Sequence, residues 1–236
     1  MNVTIILVGT THPGNIGATA RAMKNMGLNE LRLVNPKSFP DPEASARASG
    51  AEEILRNATI FDNLSDAIKD FTYVVGASSR SRTIDWPSFD VRACAIRLLQ
   101  EGCNGKAAAV FGPEHSGLTN SDLDHCHALL TIPSDPSFSS LNIAMAVQIL
   151  TYELRMSFYD GLHDKHKSGT PLASVEELEH FYSHLEDVLT RSNFLDADNP
   201  RYLMRRLRRF FVRATPDKNE VNIFRGILTS LDQKKV

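Results

Sequence analysis

The chain has little cysteine. Its three cysteines, Cys94, Cys103 and Cys126, are scattered, odd in number and form no CxxC. That excludes a disulfide scaffold and fits a reducing cytoplasm. It also lacks an excess of charge of one sign. A net charge of −2 is not that of a generic polyanion binder. No apolar run approaches a membrane span. The start, Met1-Asn2-Val3-Thr4-Ile5-Ile6-Leu7-Val8-Gly9, carries no basic leader, so it reads as a buried strand and not as a signal peptide. There is no internal repeat and no low-complexity tract. There is no GxGxxG either. The glycines after the first strand, Gly14 and Gly17, are spaced GxxG, and the second strand ends at Asn35, where a ribose-binding acid is expected. Both misses count against a nicotinamide or flavin dinucleotide site.

What is present is ordinary for a globular protein. The 236 residues are 42% hydrophobic and 23% charged, enough for one large domain or a domain with an appendage. Residues 3–8 are a continuous apolar run of strand length. A loop over 9–17 and an Ala- and Met-rich helix over 18–26 follow, with Gly27 placed to end it. Residues 31–34 are a second strand, so the first unit reads as a parallel βαβ crossover. Further helices are predicted over 42–56, 64–70, 90–100 and 121–125, and strands over 71–75, 107–111 and 129–133. Residues 141–159 form the most apolar helix, which belongs in the core or in a subunit interface.

Composition shifts at 160–171, where charge, glycine and a final Pro171 mark a linker. Beyond it, Ser174 with Glu177 and Asp217 with Glu220 make capping-box patterns. Leu178, Phe181, Leu185 and Val188 recur at helical spacing, and Leu203, Leu207 and Phe210 form a stripe. The division expected is 1–159, a linker at 160–171, and a helical module at 172–236. Within that module residues 201–213 hold Arg201, Arg205, Arg206, Arg208, Arg209 and Arg213 and no acid. Such local charge is an electrostatic footprint for nucleic acid that the net charge hides.

Two polar stretches stand out. Phe111-Gly112-Pro113-Glu114-His115-Ser116-Gly117-Leu118 closes one buried strand, and Ser139-Ser140-Leu141-Asn142 opens the apolar helix just past another. Loops at the ends of strands in an α/β sheet are placed to share one pocket. Together with Asn15-Ile16-Gly17-Ala18-Thr19-Ala20-Arg21, they occur in the order of three motifs of the SPOUT RNA methyltransferases. Residues 76–83, 207–209 and 222–228 add a closer resemblance to the bacterial tRNA 2′-O-methyltransferases of the TrmJ family, which act on nucleotide 32 of the anticodon loop. The likeness covers nearly the whole chain. Pro113 stands where some relatives carry Arg, which puts one polar contact in question.

The resemblance implies an α/β fold, a mostly parallel sheet flanked by helices, with a trefoil knot at its C-terminal part and a small helical module. It implies S-adenosyl-L-methionine as methyl donor, tRNA as partner, a homodimer, and neither metal nor membrane. Carried over by position, cofactor contacts fall on Ala77, Ser78, Ser79, Gly112, Ile132, Ser140, Leu141 and Asn142. Catalysis falls on Arg21, Arg82 and Ser140, and RNA contacts on Arg80, Arg205, Arg208 and Arg209. A guanidinium stays protonated far above neutral pH. Arg21 is therefore expected to grip a substrate phosphate and align the hydroxyl, not to act as the base.

Each residue also has a structural reading. Arg21 is a surface charge or a partner for Glu114. Ser140 is the N-cap of its helix. Arg80 and Arg82 are exposed loop charges. The arginine cluster is a solvated face whose apolar stripe docks on the core. His125-Cys126-His127 resembles a metal fragment but has no second cluster, so it reads as structural. The alternatives to tRNA ribose methylation are an enzyme of the same fold acting on rRNA or on a base, and a catalytically silent RNA-binding module.

Overall fold

The computed structural model describes residues 1–78, 86–162, 170–196 and 202–233. Ser79, Arg80 and Arg82 therefore lie outside the described residues, as do Arg201 and most of the expected linker.

In chain order the elements are β1 (Val3–Val8), α1 (Pro13–Asn25), β2 (Leu31–Val34), α2 (Pro42–Ala48), α3 (Glu52–Arg56), β3 (Thr59–Phe61), α4 (Leu64–Ile68) and β4 (Tyr73–Ala77). Then come β5 (Ser88–Asp90), α5 (Val91–Asn104), β6 (Ala107–Phe111), α6 (Asn120–Asp124), β7 (Ala128–Thr131) and α7 (Ile143–Tyr159). The tail holds α8 (Val175–Arg191), α9 (Leu203–Ala214) and α10 (Lys218–Gln233).

The strands form one seven-stranded sheet in the order β3-β2-β1-β6-β4-β7-β5. Every pairing in it is parallel. The central strands are buried on both faces, as the unbroken apolar runs of β1 and β6 require. Each fully buried Ile or Leu of β1 is worth about 1.5–3 kcal/mol. The two edge strands, β3 and β5, are three residues long and largely exposed. They are absent from the sequence reading because so short and solvated a strand leaves no periodic signal.

Two local expectations are corrected. Residues 14–17 are not a loop, since α1 begins at Pro13 and both glycines are helical. A Cβ on Gly17 would lie 2.0 Å from the Ala44 carbonyl oxygen, and one on Gly14 would lie 2.6 Å from Glu43 Oε1. These glycines let α1 pack directly on α2, and no phosphate is needed to explain them. The helix expected over 42–56 is two helices. Ser49 and Gly50 turn left-handed, with φ of 43° and 91°, and separate α2 from α3.

The tail has its own core of Leu178, Phe181, Tyr182, Val188, Phe211, Val221 and Leu228, with Ala173. Phe181 and Phe211 meet edge to face at 4.7 Å. Both expected caps form: Ser174 and Glu177 exchange bonds, and so do Asp217 and Glu220. The tail is joined to the sheet region. Val175 packs into the cluster that holds Phe71 and Val74, and its N–H donates to the Phe71 carbonyl at 2.8 Å.

Candidate functional site

The parallel strands β4, β6 and β7 end at one rim, and a cleft opens there. Its cavity volume is about 150 Å³, and it is open to solvent at its mouth. Its wall takes Ala77 at the end of β4 and Ser78 after it, Phe111 at the end of β6 and the loop 112–118 after it, Leu130 of β7 and Ile132 after it, and residues 139–141 before α7. Six of the eight expected cofactor residues thus face one cleft: Ala77, Ser78, Gly112, Ile132, Ser140 and Leu141.

Gly112 explains why the loop can form. A Cβ there would lie 2.3 Å from the Leu118 backbone nitrogen. The loop closes on itself, with the Gly117 N–H donating to the Pro113 carbonyl at 2.8 Å and Gly117 at φ 65°. Only glycine at 112 lets the chain fold back this tightly.

Glu114 holds the floor. It accepts from the Thr11 N–H at 3.0 Å, the Thr11 hydroxyl at 2.9 Å and Asn15 Nδ2 at 2.8 Å. Burial works to raise its pKa, but the bonds from Asn15 and Thr11 outweigh it and hold the carboxyl at about 2. The helix α1 has no side-chain cap at His12 and no acid in its first turn. Glu114, a hundred residues away, supplies the missing negative charge. Asn15 in turn accepts from Asn142 Nδ2 at 3.0 Å. One chain of hydrogen bonds therefore joins the loop after β1, the loop after β6 and the start of α7. Thr11, Asn15 and Glu114 were not expected in these roles. The signal available was α1's lack of a cap of its own.

Asn142 is the N-cap of α7, accepting from the Ala144 N–H at 2.9 Å. It does not line the cleft, and it takes the capping role expected of Ser140. Ser140 is thereby left exposed at the cleft, with no hydrogen bond among the described residues. Arg21 is exposed on α1, does not line the cleft and has no ion pair among the described residues. Glu114 is not its partner.

The tail arginines depart from expectation. The buried residues of α9 are Phe211 and Val212, while Phe210 of the expected stripe is 54% exposed. The helix is turned so that arginines face the protein. Arg205 Nε meets Asp124 Oδ1 at 2.8 Å. Arg208 makes a two-pronged pair with Glu179, its Nη2 at 2.8 Å from Oε2, and stacks over Tyr182 at 4.4 Å. Burial works to raise the pKa of Glu179, and the bonds from His125 and Arg208 hold it at about 2. Both arginines fasten α9 to its neighbours instead of pointing outward. Arg206 and Arg213 are the exposed ones.

The two histidines of the 125–127 fragment serve separate contacts. His125 Nδ1 lies 3.2 Å from Glu179 Oε1, and buried His127 accepts the Val74 N–H at 3.1 Å. No group of three metal-ligating side chains occurs among the described residues. Among them, too, no helix is long and apolar enough to cross a membrane.

Fold and cleft define an α/β protein that takes a small ligand at the carboxyl ends of its parallel strands. Residues 2–152 match the SpoU rRNA Methylase family, and residues 176–236 match the C-terminal domain of the tRNA methyltransferase TrmJ. The chain is 46% identical to the tRNA (cytidine/uridine-2′-O-)-methyltransferase TrmJ of Yersinia enterocolitica, over 99% of this chain and 92% of the other. TrmJ from Z. mobilis superposes with a TM-score of 0.83 at 33% identity, covering 97% of this chain and 98% of that one. A probable methylase family protein of Haemophilus influenzae superposes at 0.65 with 40% identity, covering 99% and 97%. The chain belongs to the SpoU methylase family, in its TrmJ branch.

Proposed function

We propose that this protein is an S-adenosyl-L-methionine-dependent tRNA methyltransferase. It modifies the ribose 2′-hydroxyl of cytidine or uridine at position 32 of the anticodon loop, acts in the cytoplasm and works as a homodimer. The observation that carries the reading is whole-chain similarity to tRNA (cytidine/uridine-2′-O-)-methyltransferases, joined to a cleft whose wall is the motif loops themselves. Residues 1–159 are the catalytic region, with the trefoil knot of the family, 160–171 the linker, and 172–236 the RNA-binding extension.

The cleft suits the cofactor. Its wall is apolar at Leu118, Leu130, Ile132 and Ile143 and carries hydroxyls at Ser78, Ser139 and Ser140. The space that a Cβ of Gly112 would need is already filled by the 117–118 backbone. Gly112 and Ile132 would present backbone groups to the cofactor's adenine and ribose, and Leu141 and Ala77 would close the apolar sides. Bound there, S-adenosyl-L-methionine would supply an electrophilic methyl group on a sulfonium. The residues' task is to align the acceptor in line, so positioning is a large share of the catalysis.

Ser140 lies at the cleft with an unengaged hydroxyl. Arg21 lies away from the cleft of its own chain, which supports its delivery to the site of a second protomer, where it grips an RNA phosphate. The exposed side chains Met145, Tyr152 and Tyr159, spaced seven apart on α7 and 62%, 48% and 66% exposed, are the proposed contact between protomers. An isologous dimer uses this face twice. Arg82 is assigned to catalysis and Arg80 to RNA by resemblance.

The deciding experiment is nucleoside mass spectrometry on unmodified bulk tRNA incubated with protein and S-adenosyl-L-methionine. New 2′-O-methylcytidine or 2′-O-methyluridine is expected. A base-methylated product overturns the acceptor. No product with the cofactor bound points to rRNA or to a silent binding module. Arg21→Lys is expected to retain RNA affinity and lose most turnover, and full turnover in that variant removes Arg21 from the mechanism.

A further inference from the structure

The chain between β7 and α7 runs along the mouth of the cofactor cleft. Residues 135–142 are all exposed. Ser139, Ser140 and Leu141 of that run line the cleft, and Phe138, just before them, stands outside its wall. The Phe138 ring is 80% exposed, the highest value among the exposed large apolar side chains described. Single exposed apolar side chains are common on protein surfaces, so exposure alone assigns nothing. The surroundings of this ring do.

A folded loop holds the ring out. Asp135 Oδ1 accepts the Ser137 N–H at 2.8 Å and the Ser137 hydroxyl as well. The Phe138 N–H donates to the Asp135 carbonyl at 3.0 Å. The Ser134 hydroxyl donates to the Ser139 carbonyl at 3.4 Å, across the same turn. Asn142 anchors the far end, where it caps α7 and donates to Asn15 at 3.0 Å. A side chain presented this way before its partner arrives loses less entropy on binding. The charge of the loop is wrong for a phosphate. From Thr131 to Asn142 the sequence has no Lys, Arg or His, and its one ionisable side chain is Asp135. What the loop offers is hydroxyls and one aromatic face. The ring is also near the reacting end. Phe138 is two residues from Ser140, so their Cα atoms are at most about 7 Å apart. A base is bonded directly to its ribose, and a ribose held against Ser140 therefore brings its own base to this rim.

We propose that Phe138 is the platform on which the target pyrimidine stacks while its ribose reaches the cleft. The inference rests on the tRNA methyltransferase reading above and deepens it, because it names a contact to the acceptor nucleotide itself. Single-stranded loop bases are recognised by being splayed out and stacked on aromatic side chains. One such stack is worth about tenfold in affinity or more. Stacking uses the face of the base and not its hydrogen-bonding edge, so it accepts cytidine and uridine alike. Phe138 therefore holds the nucleotide without choosing between the two. It takes no part in holding the cofactor, since it lies outside the cleft wall.

The test is a double-mutant cycle between the full chain and unmodified tRNA, read by fluorescence anisotropy. The protein is wild type or Phe138→Ala, and the RNA carries cytidine or an abasic ribose at position 32. Removing the ring and removing the base are each expected to weaken binding about tenfold. Removing both is expected to cost no more than either alone. The salt slope of Phe138→Ala is expected to match that of the wild type, because no phosphate contact is lost. Its affinity for S-adenosyl-L-methionine stays at the wild-type value. Additive losses overturn the proposal, and so does unchanged tRNA affinity in Phe138→Ala. Phe138→Trp supplies a second readout. It is expected to keep tRNA affinity, and its added indole emission is expected to be quenched by the cytidine tRNA and not by the abasic one. Trp86, the one native tryptophan, is 5% exposed, and the wild type supplies its background. Equal quenching by both RNAs overturns the assignment to the base. Phe138→Ala running as a monomer on gel filtration, where the wild type runs as a dimer, shows that a second copy covers the ring and also overturns it. A wild-type chain that binds no tRNA sinks the functional reading itself, a result distinct from all of these.

Discussion

At the scale of single residues, Gly17 sets the packing of α1 on α2, while Gly112 and Glu114 shape the site. Gly17→Ala forces a methyl group to within 2.0 Å of the Ala44 carbonyl oxygen, so α1 and α2 must separate. We expect a loss of about 2 kcal/mol or more in urea unfolding. Gly112→Ala places a carbon 2.3 Å from the Leu118 nitrogen and opens the loop. Here calorimetry is expected to show cofactor affinity falling by about tenfold or more while the far-UV spectrum is kept. Glu114 makes a pH prediction. Its folded pKa of about 2 lies below the ordinary 4.5. Its contribution is therefore fully present above pH 4.5 and is lost as pH falls from 4.5 toward 2. The Tm gap between wild type and Glu114→Gln is expected to shrink across that window, and a constant gap contradicts the hydrogen-bond account. Of these three residues the sequence names all and explains none. Gly17 looks like a ligand loop because its partner, the backbone of Ala44, is close only in three dimensions.

At the scale of elements, α9 is the informative case. Its five arginines read as a solvated basic face, yet Arg205 and Arg208 are engaged by Asp124 and Glu179. An ion pair with a residue 81 or 29 positions away leaves no mark in the helix's own periodicity. The pair Arg208–Glu179 is partly buried, so its removal is felt. Glu179→Ala is expected to destabilise the tail by about 1–3 kcal/mol, against less than about 0.5 for exposed Arg206→Ala. Hydrogen exchange on α8 and α9 measures the difference. Equal protection in both variants refutes the fastening role. The core strands behave in the opposite way. Residues 3–8 and 107–111 were legible because burial on both faces writes a nearly unbroken apolar run. The edge strands β3 and β5 were not, because they are short and solvated.

At the scale of the molecule, the apolar face of α7 and the division into core and tail set the remaining predictions. Tyr152→Glu puts a charge in the centre of the exposed Met145, Tyr152 and Tyr159 row. If that row is the dimer contact, light scattering after gel filtration will find the 26.2 kDa monomer, with methyl transfer lost. A variant that remains dimeric moves the interface elsewhere. Deleting the chain after Asp160 is expected to keep cofactor binding and weaken RNA binding. Loss of both makes the tail part of the catalytic core, a result that the packing of Val175 against the sheet region makes worth testing.

The sequence alone determined the parallel α/β core, the helical tail, the two loops that wall the cleft and the family, because those features depend on local periodicity and contiguous motifs. Only the tertiary structure decided that Gly17 serves helix packing, that Glu114 caps α1 from a hundred residues away, and that Arg205 and Arg208 face inward. Each of these depends on which surfaces meet. Side-chain pattern fixes the face that an element buries, but the partner on that face is chosen by packing across the whole chain.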